Sequence, residues 1–292
     1  MTRYTPSRRS LLAAAPFLAL AGAVRAQEDK APYRFGETPE EAERIAIRAH
    51  QDLMDLPDVH MHDNETIAML AYPGMTVLDL IGPQYMFASM MGAKIQIVSA
   101  DPQLAPIMSD TNVAIVPDTH MDDVPDALDI LFVPGGTAGT LAVMQDDAML
   151  DWVRARGEAA KLVTAVCTGS LILGQSGLLE GRRATSHWAT RHLLPEFGAT
   201  AVNARVVRDG NLITGGGVTA GIDFGLSILA QLRGEGYAKA VQLQAEYAPK
   251  PPFASGTPEE AGAALTEPMQ GMFATFLHDV RAAARAGRGS RG

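Results

Sequence analysis

Short runs of apolar residues alternate with segments of helical spacing from residue 66 onward, and no other feature constrains the fold of this chain as strongly. The runs lack the polar alternation of a strand with one face in water, so they predict strands buried on both faces. Helices between such strands indicate crossover connections. The sequence therefore predicts an α/β fold, a doubly wound, mostly parallel sheet flanked by helices. The predicted strands are 66–71, 95–99, 113–116, 130–133, 162–166, 183–186, 206–208 and 212–214, and the predicted helices are 39–50, 77–91, 219–232, 238–247 and about 269–284.

The chain divides into four predicted segments. Residues 1–26 are interpreted as a signal peptide, 27–65 as an N-terminal extension, 66–258 as the α/β domain, and 259–292 as a C-terminal helix with a disordered tail from Gly287. The tail alternates glycine with arginine and serine, a composition that does not support a packed structure.

Residues 1–26 have the three parts of a secretory signal. The stretch 7–12, SRRSLL, resembles a twin-arginine motif, and residues 11–24 form an apolar run too short to span a bilayer. Small residues then flank a cleavage site before Gln27. The alternatives are an uncleaved membrane anchor and a basic start without targeting function. We expect export by the twin-arginine route to the periplasm, with no membrane attachment after cleavage.

The charge balance argues against nucleic acid as a partner. The chain has 24 Lys and Arg against 33 Asp and Glu, a formal net charge of −9, and residues 1–26 contain arginines but no acid. The exported part is therefore more acidic still, and it would repel a phosphate backbone. A small uncharged molecule is the expected ligand.

Cys167 is the one cysteine of the chain, which rules out an internal disulfide and a thiolate zinc site. It follows the apolar run 162–166 directly and begins the sequence Cys-Thr-Gly-Ser, after which helical spacing starts. A sharp strand-to-helix turn raises its first side chain above the sheet edge, and the helix N-terminus favours the thiolate. Filling of the core is the alternative role for a lone cysteine. The context favours a cysteine nucleophile elbow with Cys167 as the reactive group.

Two further segments are expected at the same edge of the sheet. Gly135 and Gly136 follow the strand 130–133. A free N–H from this pair, together with the Thr168 N–H, would form an anion hole, and an ordinary glycine turn is the equal alternative. Asp79 is a single acid in an apolar run after the first strand. It is either a helix cap or a buried carboxyl kept for proton transfer.

His60 and His62 form a His-x-His pair in the N-terminal extension. Such a pair can hold a metal in an extended segment, but the sequence identifies no third ligand. A solvated linker is therefore the favoured interpretation, and we predict no metal site.

Five stretches together resemble the PfpI-like superfamily of class I glutamine-amidotransferase-like proteins. They are VLDLIGP at 77–83, FVPGGT at 132–137, AVCTGS at 165–170, GRRATSHW at 181–188 and TGGGVTAGID at 214–223. The segment 242–253, which ends in YAPKPPF, is similar to the isonitrile hydratases within that superfamily. The resemblance covers about residues 66–258 and implies a flavodoxin-like, glutamine-amidotransferase-like sandwich.

The resemblance also implies a reaction and the residues that perform it. Cys167 matches the family nucleophile, Asp79 the acid of the hydratases, and Thr168 the threonine that supports the reaction. The reaction adds water to an isonitrile and gives an N-substituted formamide through a thioimidate on Cys167, without metal or organic cofactor. Asp79, held protonated by apolar surroundings, would deliver the proton. The family further implies a homodimer.

Other activities of related proteins fit these residues less well. A peptidase or deglycase would have histidine directly after the nucleophile, where this chain has Thr168. A glutaminase would have a His-x-Glu pair, which His187 does not begin, so His187 is expected to be structural. The remaining alternatives are a hydrolase acting on another electrophile and a non-catalytic ligand-binding protein related to the sensing domain of AraC-type regulators.

Overall fold

The computed structural model describes residues 36–61 and 63–291, with side chains described as far as residue 287. The predicted signal peptide and His62 lie outside the described residues. The chain divides into two compact units between Gln51 and Asp52. Residues 52–65 and the C-terminal segment belong to the same unit as the sheet, and the predicted segment boundaries stay predictions.

In the first unit, the described residues form most of helix α1 (Pro39–Met54). The helix begins where the sequence predicts. Thr38 accepts a hydrogen bond from the Glu41 N–H at 3.2 Å, and Glu41 accepts one from the Glu37 N–H at 3.1 Å. This reciprocal cap satisfies N–H groups that a helix N-terminus leaves without partners. The helix has no buried residue, so its N-terminus is stabilised by capping rather than by burial.

The second unit contains the alternating strands and helices. Its described helices are α2 (Val77–Ala88), α3 (Ala138–Met144), α4 (Asp147–Ala159), α5 (Gly169–Gln175), α6 (Ala220–Arg233), α7 (Glu235–Gln244), α8 (Pro258–Ala261), α9 (Ala263–Met272) and α10 (Ala274–Arg291). Its described strands are β1 (Thr66–Leu70), β2 (Lys94–Ser99), β3 (Ile107–Met108), β4 (Ala114–Ile115), β5 (Thr119–His120), β6 (Ile130–Val133), β7 (Leu162–Val166), β8 (Arg183–Ala184), β9 (Thr200–Ala201), β10 (Val206–Asp209) and β11 (Leu212–Gly215). Among the described helices, none combines the length and the apolar character needed to cross a bilayer.

Seven strands form one sheet in the order β10–β11–β7–β6–β1–β2–β5. All neighbouring pairs are parallel except β10 with β11. Strand β1 lies between β2 and β6, with Ile67 opposite Ile95 on one side and Ile130 on the other, so the strand order reverses there. In open α/β sheets, ligands bind at the carboxyl ends of the strands beside such a reversal. The predicted fold is confirmed.

The sheet is flanked by helices, and its central strands are fully enclosed. Every residue of β6 and β7 is buried. Phe87 of α2, Phe132 of β6 and Phe224 of α6 form an aromatic cluster with ring centroids 5.8–6.4 Å apart. Edge-to-face and tilted packing of this kind stabilises a core beyond the burial of the rings alone. The cluster fixes α2 and α6 against the same strand.

Several regions differ from the predicted elements, among them the predicted strand 183–186, which is shortened to β8 and pairs with β9 outside the main sheet. The predicted strand 113–116 is shortened to β4, which pairs with β3 in a separate hairpin. Val113 and Val116 have high strand propensity but are exposed, because propensity does not specify a partner strand. Helices α3 and α4 have no counterpart among the predicted elements, since Gly139 and Gly157 interrupt their helical pattern.

The C-terminal segment contains more helix than the sequence predicts. In place of one helix over about 269–284 there are α9 and α10, and α10 continues to Arg291. The predicted disorder from Gly287 stays a prediction. The alanine-rich turns of α10 have the highest helix propensity, whereas its glycines each cost about 1 kcal/mol relative to alanine.

A buried ion pair ties the segment before β1 to the sheet. Arg233, at the end of α6, is fully buried, and its guanidinium donates to both carboxylate oxygens of Glu65. It also donates to the carbonyl oxygens of His60 at 3.3 Å, Met61 at 2.8 Å and Met91 at 3.0 Å. A buried charge requires such complete pairing. This pair explains why residues 52–65 belong to the sheet unit.

Arg233→Met is expected to lower the free energy of unfolding by about 3–5 kcal/mol, because Glu65 would keep a buried charge without a partner. The double variant Glu65→Leu/Arg233→Met should lose less than Arg233→Met alone. Urea denaturation followed by circular dichroism measures both. Lys239→Met, which breaks an exposed pair with Glu235, is the control and should cost less than about 1 kcal/mol. Equal losses for the Arg233 and Lys239 variants would contradict the role of the buried pair.

Candidate active site

Cys167 lies at the turn between β7 and α5 in a left-handed backbone conformation, with a φ of 58°. Its N–H donates to the carbonyl oxygens of Gly215 at 3.1 Å and Gly216 at 3.0 Å. Its own carbonyl oxygen accepts from the hydroxyls of Ser170 at 3.1 Å and Ser186 at 3.0 Å. A residue other than glycine adopts this conformation at an energetic cost, so these contacts are what hold it. The predicted nucleophile elbow is present.

Three site groups meet around Gly135, in the loop after β6. A Cβ at this position would lie 2.6 Å from the Thr168 nitrogen, 2.7 Å from Asp79 Oδ2 and 2.8 Å from Cys167 Cβ. These distances are shorter than van der Waals contact, so only glycine fits there. The structure thus brings together the three segments that the sequence places at this edge of the sheet.

Asp79 is in the first turn of α2, and its side chain is fully buried. Its Oδ2 accepts a hydrogen bond of 3.1 Å from the Gly135 N–H, so the carboxylate faces the neighbouring loop rather than capping its own helix. Burial raises the pKa of Asp79 to about 7, against the opposing effects of the Cys167 thiol and the Gly135 N–H. Asp79 is therefore a carboxyl that can gain or lose a proton near neutral pH.

Burial also raises the pKa of the Cys167 thiol, and the nearby Asp79 charge raises it further. The N–H groups of Thr168 and Val218 lower this pKa but are outweighed. Burial therefore opposes the predicted thiolate, since α5 is short and Cys167 is only 5 % exposed, and the thiolate stays a prediction. The Cys167 thiol and the Asp79 carboxyl therefore titrate as a pair, and the sulfur loses its proton when the Asp79 carboxylate accepts it.

The glycine N–H groups do not form an anion hole. The Gly135 N–H donates to Asp79, and the Gly136 N–H donates to Thr168 Oγ1 at 2.8 Å. The prediction of a free N–H in this pair is therefore wrong. The Thr168 hydroxyl donates to the Gly136 carbonyl and lies 2.9 Å from Thr140 Oγ1. Thr168 thus acts on the sulfur through its backbone N–H, while its hydroxyl holds the loop.

Val218 is a site residue that the sequence reasoning missed. Its N–H acts on the Cys167 sulfur together with that of Thr168. It follows the run of glycines 215–217 at the end of β11, in which a Cβ at Gly217 would lie 2.2 Å from the His187 ring. The glycine run directly after β11, the strand next to β7, is the sequence feature that could have indicated Val218. Glycines allow the backbone to approach the turn at Cys167 closely.

A cavity of about 330 Å³ opens beside this loop, lined by residues 216–220 and by His187 and Arg191 among others. Burial and the Arg191 charge lower the pKa of His187 to about 4, so its ring is neutral at pH 7. Its Nδ1 accepts from the Ala189 N–H at 3.3 Å. Among the described contacts none links the ring to Cys167, and a structural role for His187 stays a prediction.

In the ranges 36–61 and 63–291, no three side chains of His, Cys, Asp or Glu come together in a group that could hold a metal ion. His60 is exposed, and its carbonyl oxygen accepts from Arg233. Because His62 lies outside those ranges, the interpretation of the pair as part of a linker stays a prediction.

Residues 65–231, more than half of the chain, match the model of the DJ-1/PfpI family. The chain belongs to the DJ-1/PfpI family. The matched range contains Asp79, Cys167 and Val218 and ends inside α6, so helices α7 to α10 lie beyond the part shared with the DJ-1/PfpI model. The predicted superfamily is confirmed.

Two DJ-1/PfpI relatives match over most of their own length. Isonitrile hydratase from Pseudomonas putida is 49 % identical over 201 residues, which cover 69 % of this chain and 86 % of that protein. The crystal structure of a THiJ/PfpI family protein from Pseudomonas syringae aligns with a TM-score of 0.77 at 46 % identity, covering 88 % of this chain and 98 % of that chain. The HTH-type transcriptional regulator CdhR from Pseudomonas aeruginosa is 32 % identical over 152 residues, covering 51 % of this chain and 43 % of that protein. Relatives of this DJ-1/PfpI chain thus differ in function.

Asp79→Asn is expected to remove a pH dependence from the stability of this DJ-1/PfpI protein. The native pKa of about 7 lies above the ordinary value of 3.8, so the folded protein binds the Asp79 proton more tightly than the unfolded chain does. The free energy of unfolding therefore falls as pH rises between these two values, by up to about 4 kcal/mol. Urea denaturation across this range measures the slope, with Asp151→Asn, an exposed acid, as control. The same slope in wild type and Asp79→Asn would exclude Asp79 as its source.

Proposed function

We propose that this protein hydrates isonitriles to N-substituted formamides, with Cys167 as the nucleophile and Asp79 as the group that transfers protons. The observation that carries the proposal is the fully buried Asp79 carboxyl, with its pKa raised to about 7, beside the buried Cys167 thiol. The 49 % identity to isonitrile hydratase from Pseudomonas putida over 86 % of that protein supports the same reaction.

The first step adds the thiol across the terminal carbon of the isonitrile. Asp79, as the carboxylate, takes the proton from Cys167 while the sulfur attacks that carbon, and then passes the proton to the same carbon. A C–S bond and a C–H bond form, and the carbon–nitrogen triple bond becomes the double bond of a thioimidate. The N–H groups of Thr168 and Val218 stabilise the charge that develops on sulfur.

The second step uses water to release the product. Asp79 takes a proton from water while the water oxygen bonds to the thioimidate carbon, and it returns that proton to the nitrogen. The adduct then collapses as its hydroxyl loses a proton to Asp79, the C–S bond breaks, and the sulfur regains the proton. The formamide leaves, and the thiol and the carboxylate are restored.

The reaction rate should depend on pH through Asp79. Below about pH 7 both the thiol and the carboxyl hold a proton, so no base is present to begin the first step. We expect kcat/KM for an isonitrile to rise about tenfold per pH unit below this value and to level off above it. Initial rates in overlapping buffers between pH 5 and 8.5 provide the profile. A profile that is already flat at pH 5 would contradict the role of Asp79 as the base.

The purified protein should convert cyclohexyl isocyanide to N-cyclohexylformamide, which mass spectrometry detects. Cys167→Ala should abolish turnover, and Asp79→Asn should lower kcat about 10²–10⁴-fold, the range for a general acid–base group. Asp151→Asn is the control and should keep full activity. Activity retained in Asp79→Asn but lost in Cys167→Ala would remove Asp79 from the mechanism.

Ligand binding without turnover is the second candidate function. The similarity to the regulator CdhR over 51 % of this chain favours it, because that protein is named as a transcriptional regulator rather than as an enzyme. Absence of turnover in the wild type, with calorimetric titration still detecting binding of cyclohexyl isocyanide, would decide for this candidate.

We further propose that the protein is exported and acts as a homodimer. The signal-like sequence of residues 1–26 supports export. Helix α2 leaves Leu78, Ile81 and Tyr85 exposed on successive turns, next to the buried Asp79. An apolar stripe of this kind supports contact between two copies close to the site.

A further inference from the structure

The cavity lined by Val218 shares part of its wall with a second cavity. The first, of about 330 Å³, is lined by residues 216–220, which include the Val218 whose N–H acts on the sulfur. The second, of about 290 Å³, shares Trp188 and residues 256–258 with the first. The remainder of its lining is Ser255, Ala261, Leu265, Thr266 and Met269. A molecule that occupies both cavities therefore passes Trp188 and meets side chains of α8 and α9.

The lining of the second cavity has no charged side chain, and each of its two threonine hydroxyls makes one hydrogen bond within the protein. Thr257 accepts from the Glu260 N–H at 3.2 Å, and Thr266 donates to the Pro258 carbonyl at 3.2 Å. The surface left for a ligand is therefore mainly apolar, with Ser255 and the Thr257 hydroxyl as its polar groups. Leu265 and Met269, one turn apart on α9, are 57 % and 45 % exposed, so apolar area remains in water beside the site.

Trp188 forms a fixed wall between the two cavities. Its ring lies 5.5 Å from that of His187 and 6.3 Å from that of Phe273, and the rings of His187 and Phe273 are 5.6 Å apart. Three rings in mutual contact restrict one another, so the indole offers a preformed apolar surface at low entropic cost. The first cavity, in contrast, is lined by Arg191, Arg205 and other polar groups. Its polarity suits the isonitrile group and water better than a hydrocarbon.

We propose that the second cavity is the subsite for the apolar substituent on the isonitrile nitrogen. Trp188, Leu265 and Met269 then set a preference for cyclic or aromatic substituents long enough to reach past the first cavity. This inference rests on the proposed hydratase function. A volume of about 290 Å³ accommodates a ring of that size. Since α8 and α9 lie beyond the family match, substrate preference is set by residues outside the shared domain.

Hydration of methyl, cyclohexyl and 2-naphthyl isocyanide by Leu265→Asp tests the subsite. Leu265 is exposed, so the aspartate should not disturb folding, but it puts a charge where the substituent would pack. We expect kcat/KM to fall about tenfold or more for 2-naphthyl isocyanide, less for cyclohexyl isocyanide, and less than about twofold for methyl isocyanide. Met272→Asp is the matched control, because Met272 is 78 % exposed on the same helix and does not line the cavity.

Equal losses for all three substrates, or equal effects of Leu265→Asp and Met272→Asp, would overturn the subsite. Calorimetric titration with N-(2-naphthyl)formamide separates this inference from the hydratase proposal. If the wild type shows no turnover, weaker binding by Leu265→Asp but not by Met272→Asp would still support the subsite. Unchanged binding in Leu265→Asp, or no binding to the wild type, would overturn it.

Discussion

The close approach of three loops at Gly135 is the contact on which the rest of the site depends. Because this residue has no side chain, the loop after β6 reaches the Asp79 carboxylate with its N–H, and the Asp79 side chain is fully buried. A carboxyl held away from water keeps its proton to higher pH, so the raised pKa of Asp79 follows from packing. The sheet order makes this packing possible, since β1, β6 and β7 are neighbours and their carboxyl ends meet. The proton affinity of Asp79 thus depends on the sheet topology and on the absence of a side chain at Gly135.

The features that the sequence predicts are those that a local pattern determines. The continuous apolar sequences of β6 and β7 indicate strands of a parallel sheet, whichever residues follow them. Cys-Thr-Gly-Ser after such a run indicates the elbow, because only a sharp turn joins strand and helix there. Asp79 is conspicuous as the one acid in an apolar helix, although the local pattern left a helix cap and a buried carboxyl open. Each of these predictions depends on fewer than about ten consecutive residues.

The features that the sequence does not reveal depend on partners far apart in the chain. Arg233 and Glu65 are separated by 168 positions, and neither lies in a pattern that indicates its partner. The Gly136 N–H is engaged by a threonine from another loop, which no spacing predicts. The pKa of Cys167 is the sum of opposing effects, so its direction follows only when burial is weighed against backbone donors. The walls of the second cavity likewise come from helices that local sequence does not place over the site.

The left-handed backbone at Cys167 limits how this lineage can diverge. Valine, isoleucine and threonine scarcely adopt a φ of 58°, so the position is closed to the residues that commonly follow a buried strand. Four hydrogen bonds to the peptide groups on either side of its Cα preserve that backbone whatever the side chain does. In a related protein that had lost its activity, the backbone conformation would therefore still favour a small or unbranched residue at this position. A cysteine at this turn is accordingly weaker evidence of catalysis than a buried carboxyl at the position of Asp79. Burial of a carboxyl costs free energy, and no backbone conformation requires an aspartate there.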